Sequence, residues 1–136
     1  MGSLDDLKIL DFSTLLPGPY ATLMLADMGA EVLKISSASR PDIVLDYPPF
    51  IGDTGVSASQ AWLGRNKKTM FLNLKTGEGK AVVKELVKEY DIVLEQFRPG
   101  VMEKLGLGYE DLKAVNPKLI YCSLTGYGQT GPLRDA

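Results

Sequence analysis

Two cationic residues stand directly after apolar runs of this chain, Lys75 after FLNL and Arg98 after the EQF that closes DIVLEQF. A lysine or arginine so placed either offers charge-assisted donors to a phosphate or carboxylate, or merely solvates a turn. Phe97, beside Arg98, either packs into a core or presents a stacking face to a heteroaromatic ring. The turn Leu15-Leu16-Pro17-Gly18-Pro19 feeds a helical stretch. Free N–H groups at a helix start attract anions, although a Pro-Gly-Pro start is also simply rigid. It matches neither the GxGxxG nor the GxxxxGK[ST] phosphate-binding pattern. Asp11, just before this turn, is placed to orient it. Tyr127, in the glycine-rich run 126–131, is a candidate hydroxyl on the substrate side. Lys67 and Lys68, with Arg65, stand at the entrance of an apolar run and are expected to form a wet edge. Cys122, flanked by Tyr121 and Ser123, is expected to be a buried structural thiol.

What is missing narrows the chemistry further. The 136 residues contain no histidine and one cysteine. A serine–histidine triad, a histidine base, a disulfide and a cysteine-rich or histidine-based zinc site are therefore excluded within them. Acid–base or nucleophilic work falls to Asp, Glu, Lys, Tyr or Cys, or to residues elsewhere.

The elements that must position these residues alternate between two periods. LKILDF (7–12) reads as a short buried strand, a helix runs from about Pro19 to Met28, and EVLKI (31–35) is a second strand. That β–α–β start implies a parallel sheet. Residues 36–64 hold Pro41, Pro48, Pro49, Gly52 and Gly55 and are expected to form a long surface excursion. TMFLNL (69–74) is a third strand. Thr76 is placed to cap a helix whose apolar stripe is Val82, Val83, Leu86, Val87 and Tyr90. DIVLEQF (91–97) and LIYCSL (119–124) supply two more strands, with short helices at 101–104 and 109–115 between them. The fold class is α/β, a mostly parallel sheet flanked by helices. Ligands of such sheets sit beyond the carboxyl ends of the strands. Four segments occupy that place: Ser13–Pro19, Leu74–Thr76, Gln96–Gly100 and Thr125–Pro132.

Composition agrees with one globular domain, at 45% hydrophobic and 24% charged residues. A net charge of −2 gives no general field for nucleic acid. No apolar run approaches the ~20 residues of a membrane span, and no leader pattern opens the chain, so a cytoplasmic location is expected.

Four blocks in this order, LDFSTLLPGPYATLMLADMGAEVLKI, NKKTMFLNLKTGEGK, DIVLEQFRPGVMEKLGLGYEDL and NPKLIYCSLTGYGQTGP, resemble the N-terminal portion of the family III CoA-transferases. That family includes formyl-CoA transferase, L-carnitine CoA-transferase and α-methylacyl-CoA racemase. The resemblance implies a Rossmann-like coenzyme A-binding domain over residues 1–136, with catalytic and C-terminal parts absent. It implies acyl-CoA and a carboxylic acid acceptor as substrates, no metal, and an interlocked homodimer. The uncovered sheet edges and apolar helix of this stretch are then expected to make it self-associate. Carried over residue by residue, it places Leu16 and Pro17 at the turn that contacts coenzyme A. Leu72, Asn73, Leu74 and Lys75 lie along the nucleotide, as do Gln96, Phe97 and Arg98, and Lys104 stands where the family is often basic. The family's catalytic aspartate falls beyond Ala136, so no residue here takes that role, and the chain alone is expected to be inactive. The closing GYGQTGPLRDA leans towards the racemase branch. Departures are Ser36 and Ser37, where the family has Glu followed by Arg or Pro, Gln96 in place of Asn, and the unusual 36–64 segment. Arg40 is a candidate substitute for the missing arginine. A non-catalytic coenzyme A- or nucleotide-binding or dimerisation module is the alternative. A response-regulator-like domain would need an acidic cluster for Mg²⁺, which Asp11 alone does not make.

Overall fold

In a computed structural model, which describes residues 2–136, five parallel strands form one sheet. They are β1 (Lys8–Asp11), β2 (Glu31–Ser36), β3 (Lys67–Phe71), β4 (Ile92–Glu95) and β5 (Ile120–Ser123), in the order β3-β2-β1-β4-β5. The order reverses between β1 and β4, so the loops after these two strands diverge and leave a crevice. Helix α1 (Pro17–Asp27) and the short α2 (Ala58–Leu63) accompany one face; α3 (Gly77–Val87), α4 (Val101–Lys104) and α5 (Tyr109–Lys113) accompany the other. No helix among the described residues is long and apolar enough to cross a membrane.

Strand alternation divides the core. Leu10, Phe12, Leu33, Ile35 and Val93 pack with Val83, Val87, Met102 and Leu112 on the α3 side. Ile9 and Val32 pack with Ala26 and Ala30 on the α1 side. Thr76 caps α3 as expected, its hydroxyl accepting from Gly79 N at 3.1 Å. Of the expected α3 stripe, Val83, Val87 and Tyr90 are buried and Leu86 is half-buried, but Val82 faces solvent.

The structure corrects several expectations. The third strand starts and ends earlier than the apolar run. Leu72 N still bonds Ser36 O, and Asn73 then folds an Asx turn by accepting from Lys75 N. The 36–64 segment is not a bare excursion. Asp42 caps a single 3-10 turn (Ile43–Asp46), Ser57 caps α2, and Leu63 is buried. Trp62 of α2 lies 5.7 Å from Tyr20 of α1, ring to ring. Cys122 is exposed. It shares a sheet face with Ile120, 60% exposed; α1 packs on β1 and β2 and leaves the β5 end of that face bare. Lys68 is wet as expected, but the side chain of Lys67 is only 1% exposed.

Candidate functional site

Asp11 ends β1 fully buried, and polar groups gather around its carboxylate. Its carboxylate accepts from Ser13 N at 2.8 Å, from the Ser13 hydroxyl, and from Thr22 Oγ1 at 2.5 Å. Lys67 Nζ lies 3.7 Å from Asp11 and donates to Pro19 O and Thr22 Oγ1. Burial, outweighing the pull of Asp11, lowers the Lys67 ammonium from 10.5 to about 8. The long stem of Lys67 carries its amine along the α1 face to the far end of the sheet, which strand position alone does not reveal. A second buried pair lies alongside, with Lys34 Nζ donating to Ser13 O at 2.9 Å and standing 3.4 Å from Asp42. Asp42 in turn accepts from Leu15 N at 3.1 Å. Asp11 therefore orients the turn after β1, and it does so as one member of a four-charge network.

The turn itself is strained. Leu15 has φ +62°, a conformation that costs an L-residue about 1–2 kcal/mol. Beyond it, α1 has no free N–H at helical positions 17–20. Pro17 and Pro19 have none, Gly18 N donates to Gln96 Oε1 at 3.0 Å, and Tyr20 N bonds Leu16 O. Helical positions 17–20 thus offer no N–H to an anion, which favours the rigid-start reading there. Gln96, one methylene longer than asparagine, ties the β4 loop to the β1 loop across the crevice.

A cavity of about 400 Å³ opens beside that tie. Pro17 comes from the β1 loop, Gln96, Phe97, Arg98 and Pro99 from the β4 loop, and Thr125, Tyr127 and Arg134 from the chain after β5. Two guanidinium side chains and no carboxylate side chain line it. Arg98 has no ion pair among the described residues, and Arg134 stands 3.4 Å from its neighbour Asp135. Thr125 Oγ1 is buried without a hydrogen-bond partner among the described residues. Such a wall suits an elongated anion with an aromatic or apolar portion. Arg134 is not legible in the sequence, because it follows the last strand by eleven positions and carries no motif.

The other expected binding residues lie elsewhere. Leu16 is half exposed at the N-cap of α1. Leu72 and Leu74 turn into the α3-side core, with Asn73 and Lys75 exposed beyond the end of β3. With strands about 4.8 Å apart, that end lies roughly 15 Å across the sheet from β4. Lys104 is exposed at the end of α4. Lys75 thus stands apart from Arg98 and does not form one cluster with it. A second cavity of about 490 Å³ sits between β3 and the 36–64 segment, lined by Ser36, Asp42, Lys34 and Lys67 among others. Its buried lysines are already paired with carboxylates.

Glu95, at the end of β4, shapes the Arg98 loop from behind. It is 4% exposed, accepts from Phe97 N at 2.8 Å and has no cation partner among the described residues. Burial pushes its carboxyl above the ordinary 4.5; hydrogen bonds from Ser123 and Phe97 N oppose this, and Glu103 adds to it. An acid raised in the folded state contributes stability that is complete below 4.5 and is lost as pH climbs through the raised value. Glu95→Gln keeps an acceptor for Phe97 N and removes the desolvated charge. Its Tm is expected to exceed the parent's by a few degrees at pH 7, the difference vanishing towards pH 4. A Tm below the parent's at pH 7 would show that the charge itself is needed.

Residues 4–136 match the profile of CoA-transferase family III. The chain is 42% identical over 132 residues to acetyl-CoA:oxalate CoA-transferase of Acetobacter aceti, a match covering 97% of this chain and 33% of the relative. It is 43% identical over 131 residues to human succinyl-CoA:glutarate CoA-transferase, covering 96% of this chain and 30% of the relative. The crystal structure of a CAIB/BAIF family protein from Brucella suis superposes with a TM-score of 0.91 at 40% identity, over 98% of this chain and 36% of that one. The chain spans about a third of the length of these curated relatives.

Proposed function

This chain belongs to CoA-transferase family III, and we propose that it is the coenzyme A-binding, N-terminal part of an enzyme that moves coenzyme A between an acyl-CoA and a carboxylic acid. The observation that carries this reading is the cavity at the β1–β4 crevice, where Arg98, Arg134, Phe97 and Pro17 converge. The two arginines would take phosphate oxygens of the cofactor, and Phe97 and Pro17 would flank an apolar portion. Coenzyme A carries a diphosphate and a separate 3′-phosphate. Positive charges set apart at Lys75 and Arg98 accord with such a ligand better than one cluster would, and Lys104 adds a further cation. Leu16, Leu72, Asn73, Leu74 and Gln96 complete the proposed contacts, by their backbone where their side chains are already engaged. The residues present hold and orient the thioester; attack on it falls to a carboxylate outside this chain. The names of the relatives favour transfer over racemisation. A homodimer in the cytoplasm belongs to the same reading. The dimer part is supported by the exposed side chains of Leu16, Tyr20, Met24 and Met28, which line one edge of α1. A species that sediments as a monomer at every concentration would remove that part.

Calorimetric titration tests the cradle. Coenzyme A is expected to bind saturably, and Arg98→Ala to weaken it about 10–100-fold with little change in Tm, the loss of a charge-assisted hydrogen bond at an exposed side chain. 3′-Dephospho-coenzyme A and Lys75→Ala are each expected to bind more weakly than the parent pair. Unchanged affinity in Arg98→Ala would sink the assignment of this cavity.

A further inference from the structure

The turn after β1 is held by a residue that arrives from 27 positions later. Both carboxylate oxygens of Asp42 lie 3.1 Å from Leu15 N. The same carboxylate accepts from Val44 N at 3.3 Å, which starts the 3-10 turn, and faces Lys34 Nζ at 3.4 Å. Lys34 closes the ring by donating to Ser13 O. Asp42 is 7% exposed, so little water competes for these bonds. Leu15 is a non-glycine residue at positive φ, a state that persists only when its surroundings fix it. Two residues on, Pro17 is part of the cavity wall.

We infer that Asp42 is a positioning residue for the β1–α1 turn: it holds Leu15 in its left-handed conformation and thereby fixes where Pro17 meets the cavity. The inference rests on the reading of that cavity as a coenzyme A site only for its consequence in binding. Without the carboxylate, Leu15 relaxes to negative φ in most molecules, and only the minority with the native turn binds. The 36–64 segment, through Asp42, is then a working part of the cradle.

The test is a double-mutant cycle read in two ways. For coenzyme A affinity, Asp42→Ala is expected to raise Kd about tenfold with Leu15 present, and less than about threefold in the Leu15→Gly background, because glycine adopts positive φ unaided. Asp42→Asn, whose amide oxygen still accepts from Leu15 N, should lie nearer the parent. A role in overall stability alone predicts equal factors in both backgrounds and would overturn the inference. Independently of any ligand, hydrogen exchange at Leu15 N should accelerate at least tenfold in Asp42→Ala and less in Asp42→Asn, with the amides of β1 and β2 still protected. Unchanged exchange at Leu15 overturns the inference. If the parent protein binds no coenzyme A, the cradle reading falls, and the hold on the turn is decided by the Leu15 amide.

Discussion

Replacing Asp11 with alanine is expected to lower the unfolding free energy by about 3–5 kcal/mol, the cost of leaving a buried charge without its partner. Asp11 is fully buried, and the side chain of Lys67 is 1% exposed. The ammonium would keep only Pro19 O and Thr22 Oγ1, while Ser13 N and the Ser13 hydroxyl would lose their acceptor. For a domain whose whole stability is about 5–15 kcal/mol, that is a large fraction. The Asp11→Ala/Lys67→Met double variant separates charge from shape. It removes both ions together and should recover most of the loss, since apolar replacements of a buried pair are often neutral. Denaturant midpoints at constant m-value read both effects. A loss under about 1 kcal/mol in the single variant would contradict the burial and bonding of this carboxylate.

Gly18→Ala strikes the site itself. Gly18 is helical, so its backbone would accept alanine; the obstacle is space. A methyl group there would overlap the Ser13 side chain and stand 2.8 Å from Gln96 Oε1. Ser13 belongs to the Asp11 network and Gln96 to the Arg98 loop, so either way one wall of the crevice must move. The expected result is coenzyme A binding at least tenfold weaker, together with about 1–3 kcal/mol of overpacking cost. Gly77→Ala, at the start of α3 with nothing within 4 Å of the added carbon, is the matched control and should bind as the parent does. Equal affinities in the two variants would mean that the tie between the β1 and β4 loops does not shape the site.

The sequence reveals the strands and the longer helices because each carries its own period over enough residues. The reversal between β1 and β4 is not periodic information, yet the strand-end rule still led to the loops that meet there. Failures have local causes. The six residues of α2 make fewer than two turns, too few for a stripe to emerge among the prolines of 36–64. The buried end of Lys67 is not legible, because residue type says nothing of where a flexible stem ends. For Cys122 the apolar run implies cover on both faces, and β5 lacks it on one. The one N–H that the two prolines leave free in the first turn of α1, that of Gly18, is taken by a partner 78 residues away, Gln96. No local rule anticipates such a partner, nor the two that Asp42 finds in Leu15 and Lys34.

Trp62 is the single tryptophan of the chain, and its ring rests against Tyr20 on α1. These 136 residues therefore carry one indole chromophore, placed where the 36–64 segment touches the helix that follows the β1 turn. Its emission arises from one environment, and energy passing from Tyr20 depends on the same 5.7 Å separation. Any displacement of that segment from α1 changes both signals at once, giving an optical gauge of the contact that needs no attached label.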